Sequence, residues 1–137
     1  MLRLLSLSDY YKEYIPLLQQ LSPIKSLSYD EFRERFFNIQ LQNTKVVVIE
    51  HQNKIIASGN IFIEQRFGDC IGHIECVVVD KEHRNKRYGA QIVQELIKEA
   101  KNAKCYRISL YCKEENVGFY EKQGLVKTSV EMRKILN

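Results

Sequence analysis

The stretch that decides the fold is "GHIECVVVDKEHRNKRYGAQ", residues 72–91, where a β-branched run passes through a basic turn into a helical pattern. The run up to Val79 is typical of a strand, and both of its faces become apolar toward its end, as in a central strand. From Tyr88 onward the apolar residues recur at helical spacing: Ile92, Val93, Leu96, Ile97 and Ala100. A strand leading through a short turn into a helix predicts a mixed α/β fold.

The turn between this strand and helix is suited to an anion. A helix start leaves four backbone N–H groups unpaired and carries a partial positive charge. Arg84, Lys86 and Arg87 surround that start, and Gly89 and Ala90 let a ligand approach the backbone. A diphosphate fits such a place better than a single carboxylate, although charge alone leaves a solvated surface turn as an equal alternative. The spacing matches neither G-x-x-x-x-G-K-[ST] nor G-x-G-x-x-G, so the usual nucleotide loops are not indicated.

Outward from this stretch, the chain predicts the order strand, helix, helix, three strands, helix, strand, helix, strand. A helix that links two parallel strands should form a right-handed crossover. Simple alternation places Ile71, His73, Glu75, Val77 and Val79 on one face of the central strand and Gly72, Ile74, Cys76 and Val78 on the other. The predicted strands are 2–5, 44–50, 54–64, 69–80, 105–112 and 125–136. The first predicted helix begins after Ser8 or Asp9, and the second begins at the Ser28/Glu31 capping box and carries Phe32, Phe36 and Phe37 on one face. The third begins at Tyr88, and the fourth begins at Asn116 and ends at Gly124.

Length and composition limit the class of protein. The 137 residues, with a net charge of +4, predict one domain over residues 1–137. The N-terminal apolar stretch is too short and interrupted for a signal peptide or a membrane span, so we expect a cytoplasmic protein with no membrane partner. The positive residues form no stripe interleaved with aromatics, which argues against nucleic acid.

The cysteines and histidines show no metal-binding spacing. Cys70, Cys76, Cys105 and Cys112 include no C-x-x-C pair and lie in or beside apolar runs, so we expect reduced core or near-core thiols. His51, His73 and His83 have no ligand spacing, and no metal is expected.

A second unusual segment is "ENVGFYEKQGL", residues 115–125. Asn116 can cap a short helix, Phe119 would pack inward, and the hydroxyl of Tyr120 could reach a cleft. Taken alone, Tyr120 is more often an aromatic at the edge of a core than a catalytic group.

In order along the chain, "GHIECVVV", "HRNKRYGA", "KCYR", "NVGFYEKQGL" and "SVEMRK" resemble the acetyl-CoA-binding half of the GNAT superfamily of N-acetyltransferases. They are similar in particular to the eukaryotic glucosamine 6-phosphate N-acetyltransferase family. The resemblance is strong from residue 58 to the C-terminus and weak before it. It implies the single-domain GNAT fold, acetyl-CoA as co-substrate, acetyl transfer to glucosamine 6-phosphate by direct attack, and a homodimer whose C-terminal strand crosses to the partner.

The resemblance also implies which residues hold the coenzyme. The fourth and fifth strands should splay apart so that the thioester arm inserts between them, and the backbone of the basic turn should hold the pyrophosphate. The implied coenzyme-binding residues are Val77, Val78, Val79, Arg84, Asn85, Lys86, Arg87, Tyr88, Gly89, Ala90, Asn116, Phe119 and Tyr120.

For catalysis, the resemblance implies Glu75 as the side-chain base, the carbonyl of Tyr111 as an orienting acceptor and Tyr120 as the group that stabilises the leaving thiolate. A phenol pKa of about 10 against about 8.5 for a thiol makes complete proton transfer from Tyr120 uphill by roughly 2 kcal/mol, so a hydrogen bond suffices. The implied substrate-binding residues are Ser22, Arg66, Glu75, Cys76, Tyr106 and Arg133, with Lys134 as an alternative to Arg133.

The chain departs from the family pattern at three places. Arg87 stands where the turn usually has glycine, Cys76 where an acid is expected after Glu75, and Tyr111 where an acid is expected in the next strand. Three alternatives therefore remain. The first is a GNAT enzyme that acetylates another amine, such as a peptide N-terminus, a lysine or a polyamine. The second is an acyl-CoA-binding module without turnover, and the third is a small basic nucleic-acid binder.

Overall fold

A five-stranded sheet carries the other elements in the computed structural model, which describes all 137 residues. Its strands lie side by side in chain order; the first four are antiparallel to their neighbours, and β5 is parallel to β4. The predicted mixed α/β fold is confirmed. The strands are β1 (Leu2–Leu4), β2 (Thr44–His51), β3 (Lys54–Gln65), β4 (Cys70–Val79) and β5 (Arg107–Ser109).

Four α-helices and three short 3₁₀ helices connect the strands. The predicted capping box is confirmed, because the Glu31 N–H donates to the Ser28 hydroxyl at 3.2 Å and the Ser28 N–H donates to the Glu31 carboxylate at 2.9 Å. The helices are α1 (Tyr14–Gln19), α2 (Tyr29–Leu41), α3 (Tyr88–Asn102) and α4 (Val117–Lys122), with 3₁₀ helices at Leu7–Tyr11, Lys81–His83 and Glu114–Asn116.

The helices cover both faces of the sheet and create two apolar cores. On one face, α3 buries Ile92, Val93 and Leu96 completely. Gly59 of β3 permits this close approach, since a Cβ there would lie 2.6 Å from a methyl carbon of Ile92. On the other face, α1 and α2 bury Tyr14, Ile15, Leu17 and Phe32 against Val48, Ile55 and Val78. Each face of β4 therefore meets a different core.

The hairpin between β2 and β3 has the predicted turn. Gln52 and Asn53 both take left-handed backbone conformations, with φ of 49° and 61°, and His51 pairs with Lys54 across them. Two consecutive residues with positive φ match a type I′ turn, whose twist suits a tight hairpin.

An ion-pair network fixes β1 to the 3₁₀ helix that follows it. Arg3 donates to both carboxylate oxygens of Asp9 at 2.8 Å and also contacts Glu50. Burial alone would raise the pKa of Asp9, but the hydrogen bonds from Arg3 and from the Ser6 N–H hold it below its usual range. Removing one partner of a buried pair typically costs about 3–5 kcal/mol, so this contact anchors the N-terminal strand.

The first predicted helix is wrong in its start and its continuity. Ser6, rather than Ser8 or Asp9, precedes a 3₁₀ helix, and α1 begins only at Tyr14, after Glu13 adopts a φ of 61°. The physical reason is the Asp9 carboxylate, which binds Arg3 and the Ser6 N–H instead of capping a helix downstream.

Two strand predictions near the C-terminus are also wrong. Residues 125–136 form no strand, and Val130, Met132 and Leu136 are 86%, 92% and 91% exposed. No strand of this chain lies beside them, so their backbone groups have no ladder to join. The strand predicted over 105–112 is shorter than expected and covers only Arg107–Ser109.

Exposure differs from expectation at three side chains. Cys70 is buried and Cys105 partly buried, whereas Cys76 and Cys112 are exposed, which corrects their prediction as packing residues. Phe37 is 41% exposed, with the Arg33 guanidinium 5.2 Å from its ring centre.

No helix is both long enough and apolar enough to cross a bilayer.

Candidate active site

A β-bulge in β4 decides which side chains face the site. Asn60 of β3 pairs with Glu75, but Ser58 pairs with Val78, so β4 has one more residue than β3 over this interval. Cys76 absorbs the extra length with a φ of 57°. A bulge of this kind turns two consecutive side chains toward the same face.

The bulge overturns the predicted alternation of β4. Val77 and Val79 pack on the core beneath α3, together with Ile74, whereas Val78 lies in the core beneath α1 and α2. Glu75 and Cys76 both face the α2 side: Glu75 lies in a cavity beside the end of α2, and Cys76 lines a groove with Tyr14 and Phe32. Pure alternation would have placed Glu75 and Cys76 on opposite faces.

The predicted separation of the fourth and fifth strands is present. β4 pairs with β5 only from Ile71 to His73, opposite Arg107 to Ser109. β4 then continues to Val79, while residues 110–113 pair with no strand. The gap between residues 75–79 and 110–113, called here the open wedge, connects the face that α3 covers with the face that α2 covers.

The basic turn at one side of the open wedge presents free backbone donors. No N–H group from residue 84 to residue 90 donates to a protein acceptor; the first amide of α3 that does so is Gln91, to the Arg87 carbonyl at 3.1 Å. Unpaired amides at and before a helix start are suited to a phosphate or diphosphate. Residues 84–90 are called the anion turn.

The anion turn reaches its shape through left-handed residues. Asn85 and Arg87 have φ of 64° and 67°. Arg87 therefore adopts the conformation that a glycine would favour, at a cost of about 1–2 kcal/mol. Lys86 and Arg87 are exposed and have no acidic partner within ion-pair distance, and the Arg84 Nε donates to the Val79 carbonyl at 3.1 Å. Two cations stay available to an anionic ligand.

The buried carboxylate of Asp80 fixes the backbone just before the anion turn. Asp80, only 3% exposed, accepts hydrogen bonds from the Gln20 amide and the His83 ring, each at 2.7 Å. The Gln20 bond, followed by the His83 bond, holds the pKa of Asp80 below its usual range despite burial. Gln20 also accepts from the Lys81 N–H at 2.9 Å, so the end of α1 fixes the chain just before the turn.

Tyr120 stands on α4 at the other side of the wedge. Its ring packs edge-on against Phe119 at 4.9 Å, and Phe119 lies beneath Gly89, where a Cβ would come within 3.3 Å of its ring. Burial, with a smaller effect of Cys112, raises the pKa of Tyr120 to about 12. Its hydroxyl therefore stays protonated at neutral pH. Asn116 precedes α4 but makes no side-chain capping bond, which corrects that prediction.

The α2 side of the bulge holds a polar cavity. Glu75 lies there with Asn60, Thr44 and Gln42 around about 360 Å³, and Asn60 and Cys76 also line an adjoining groove of about 600 Å³. The Asn60 side-chain oxygen is buried without a hydrogen-bond donor, so it is free to accept one from a ligand. Asn60 is not among the predicted site residues, and its only signal in the sequence is a polar amide between Gly59 and Ile61 of an apolar strand.

The remaining predicted substrate residues do not line the cavity of Glu75. Arg66 is in the β3–β4 turn, with its Nε 3.0 Å from Asp69, and Tyr106 is exposed beside Arg107 next to the start of β5. Cys70 lies beside that turn and pairs with Gln65. Glu75 is five residues further along β4, so the backbones of Cys70 and Glu75 are roughly 17 Å apart. Three further residues are exposed: Ser22 after α1, Tyr111 at the open wedge, and Arg133, which pairs with Glu131 at 3.0 Å.

Together these features describe a class of site. Free amides and cations are suited to a diphosphate, an open strand pair has room for an extended arm, and a protonated phenol and a carboxylate lie toward opposite faces of the gap. No group of three or more histidine, cysteine or acidic side chains is arranged to hold a metal ion. The arrangement suits transfer of an acyl group between a diphosphate-bearing carrier and a nucleophile.

Comparison with known proteins shows the family to which this chain belongs. Residues 7–125 match the acetyltransferase (GNAT) family. The chain is 39% identical to the glucosamine 6-phosphate N-acetyltransferase of Arabidopsis thaliana, over 97% of this chain and 94% of that protein. It is 40% identical to glucosamine 6-phosphate N-acetyltransferase 1 of Dictyostelium discoideum, over 95% of this chain and 87% of that protein.

Solved structures agree with this assignment. The crystal structure of the Arabidopsis thaliana enzyme superposes with a TM-score of 0.97 at 38% identity, covering 100% of this chain and 98% of that chain. An acetyltransferase of Trypanosoma brucei gives a TM-score of 0.95 at 30% identity, covering 99% of each chain. The protein belongs to the GNAT acetyltransferase family.

Replacing Arg87 separates the strain of the anion turn from its charge. We expect Arg87→Gly to be more stable than Arg87→Ala by about 1 kcal/mol, because only glycine adopts a φ near 67° without strain. Both variants lose one cation and should bind coenzyme A about two- to fivefold more weakly. Chemical denaturation and calorimetric titration measure the two effects. Equal stability of the two variants, or unchanged affinity, would contradict this interpretation.

Proposed function

We propose that the protein transfers the acetyl group of acetyl-CoA to the amine of glucosamine 6-phosphate, on the route to UDP-N-acetylglucosamine. The choice of substrate rests on similarity, over 95% or more of the chain, to relatives whose names state this activity. The open wedge and the free amides of the anion turn support the carrier.

The anion turn has the donors that the coenzyme pyrophosphate requires. The amides of residues 84–90 are unpaired, and Lys86 and Arg87 add positive charge beside them. Val77 and Val79 face the α3 side, whereas Val78 is buried on the other side, so they contribute to different surfaces. The Val79 carbonyl already accepts from Arg84, which leaves Val77 as the better partner for an extended arm.

The polar cavity supplies acceptors for the amine. An amine with a pKa of about 7.7–8.0 is roughly 10% neutral at pH 7, so a base gains only about tenfold and positioning matters more. Glu75 and the free oxygen of Asn60 share this cavity and can orient the nitrogen and accept its proton. Cys76 lies on the same face as Glu75 but stays uncharged, because desolvation, followed by the Glu75 carboxylate, raises the pKa of its thiol.

Tyr120 acts at the leaving group as a hydrogen-bond donor. Acetyl-CoA supplies the activated thioester, whose sulfur leaves as a thiolate. With the pKa of Tyr120 raised to about 12 and that of a thiol at about 8.5, full proton transfer is uphill by about 5 kcal/mol. This is more than twice the cost expected from an ordinary phenol. A neutral hydroxyl can still stabilise the thiolate by hydrogen bonding, and the proton reaches sulfur from solvent.

Two features of the chain support a homodimer with a shared site. Residues 126–137 are exposed and carry apolar side chains without partners, among them Val130 and Met132. Arg66 and Arg133, implied as phosphate ligands, do not line the cavity of Glu75 in one chain, so a second chain could supply them to it.

Thiol release with a set of amines tests the activity. We expect glucosamine 6-phosphate to give a kcat/KM at least a hundredfold above that of glucosamine, a lysine peptide or spermidine. Glucosamine isolates the phosphate, and the other two stand for alternative amine acceptors. A preference for a peptide or polyamine would replace the substrate, and coenzyme binding without thiol release on any amine would indicate a non-catalytic module.

Substitution of Tyr120 tests the leaving-group role. We expect Tyr120→Phe to lower kcat about 100-fold, the effect of removing one donor to developing charge, with little change in coenzyme affinity. Because Tyr120 keeps its proton until about pH 12, both proteins should share the shape of the pH profile from pH 7 to 10. Tyr11→Phe, at a side chain that is 71% exposed, is the control. Equal turnover by Tyr120→Phe would reject the role.

The oligomeric state is measurable by analytical ultracentrifugation. We expect twice the 16.2 kDa chain mass for the native protein and a dissociation constant at least tenfold weaker for Val130→Asp. Leu41→Asp, at another strongly exposed apolar residue, should leave the dimer intact. A monomeric native protein would contradict the shared site.

A further inference from the structure

Two thiols meet at the closed end of the open wedge, outside the site described above. The sulfur atoms of Cys70 and Cys105 lie 2.9 Å apart, about 0.9 Å beyond the length of a disulfide bond. Both cysteines are free, Cys70 being buried and Cys105 partly exposed. No other pair of thiols in the chain is in contact, and neither cysteine lines the anion turn or the cavity of Glu75.

The backbone holds both residues in place for a bond. Cys70 is the first residue of β4, and its carbonyl accepts the Tyr106 N–H at 3.1 Å, which continues the β4–β5 pairing by one residue. The Cys105 N–H donates to the Ala100 carbonyl at 3.0 Å at the end of α3. Cys105 is therefore the neighbour of the residue that pairs with Cys70, which places the two sulfur atoms within 2.9 Å of each other.

We propose that Cys70 and Cys105 are a disulfide site, which small disulfides oxidise by thiol–disulfide exchange and which locks the closed end of the wedge. In a reducing solution the pair remains a dithiol. The bond closes residues 70–105 into a loop that contains β4, the anion turn and α3. These are the elements that build the coenzyme side of the site.

With oxidised glutathione the reaction balances as two exchange steps. One protein thiolate attacks a glutathione sulfur, the glutathione S–S bond breaks, and a glutathione thiolate leaves. The second protein thiolate then attacks the mixed disulfide and releases the second glutathione. Each leaving thiolate takes up a proton that a protein thiol has lost, so two protein thiols become one disulfide and oxidised glutathione becomes two thiols.

The environment makes this reaction slow at neutral pH. Burial, followed by the neighbouring Cys70 sulfur, raises the pKa of Cys105, so its thiolate is scarce there. Cys70 receives a weak contact from the Gln65 amide at 3.9 Å and contacts the Ala103 carbonyl at 3.8 Å. A site of this kind accumulates a structural bond over hours and reacts faster as the pH rises.

The test uses the full chain with Cys76→Ser and Cys112→Ser, so that only the pair can react. After incubation with oxidised glutathione at pH 8.5, we expect no free thiol on titration in denaturant and a mass lower by two hydrogens. A peptide map should join the segments around residues 70 and 105. The oxidised protein should melt roughly 10 °C higher than the same protein treated with dithiothreitol, because the closed loop restricts the unfolded chain.

Further replacement of Cys70 or Cys105 by serine in this background provides the controls. Each should retain a single thiol or gain one glutathione, with no rise in melting temperature. If either variant fails to fold, the comparison of oxidised and reduced forms of one chain still decides the outcome. Two free thiols, or two glutathione adducts, after oxidation of the Cys70 and Cys105 protein would overturn the proposal. This result is independent of acetyl transfer, which is measured separately.

Discussion

Between Asn60 and Ser58 of β3 there is one residue, but between their partners Glu75 and Val78 of β4 there are two. The backbone accommodates this difference at Cys76, and both sides of the site depend on it. Before the bulge, β4 holds the pairing that closes the wedge; after it, Val77 and Val79 turn toward α3. The same local change brings Glu75 and Cys76 to one face of the sheet, where an ordinary strand would have placed them on opposite faces.

The anion turn illustrates how strain at a site is supported elsewhere. Arg87 takes a left-handed conformation that its side chain disfavours, in exchange for a cation beside seven free amides. Asp80, which precedes this turn, is buried and accepts a hydrogen bond from Gln20 at the end of α1. The helices that cover the substrate side therefore also help to position the coenzyme side, and a change in α1 reaches both.

The order of elements from β1 to α4 could be predicted from the sequence because most of them express local signals. The Ser28 capping box, the turn at residues 51–53 and the helical spacing after Tyr88 each carry their own cue. The wrong predictions concern segments whose structure depends on contacts with other parts of the chain. The conformation around Asp9 depends on its contact with Arg3, and residues 125–136 pair with no strand of this chain. The family resemblance predicted the open wedge, whereas the bulge that reverses the faces of β4 has no signal in side-chain pattern alone. Asn60 was missed because a single buried amide does not reveal from sequence that its oxygen lacks a donor.

The unpaired amides of the anion turn have a consequence for the free protein. Groups that no protein acceptor satisfies are bonded to solvent, so water occupies the surface where an anion would sit. An anion that binds these amides therefore has to replace the solvent that hydrates them. The same seven protons exchange readily with deuterated solvent until an anion covers them, so their exchange rates report occupancy of the turn without any chemical step.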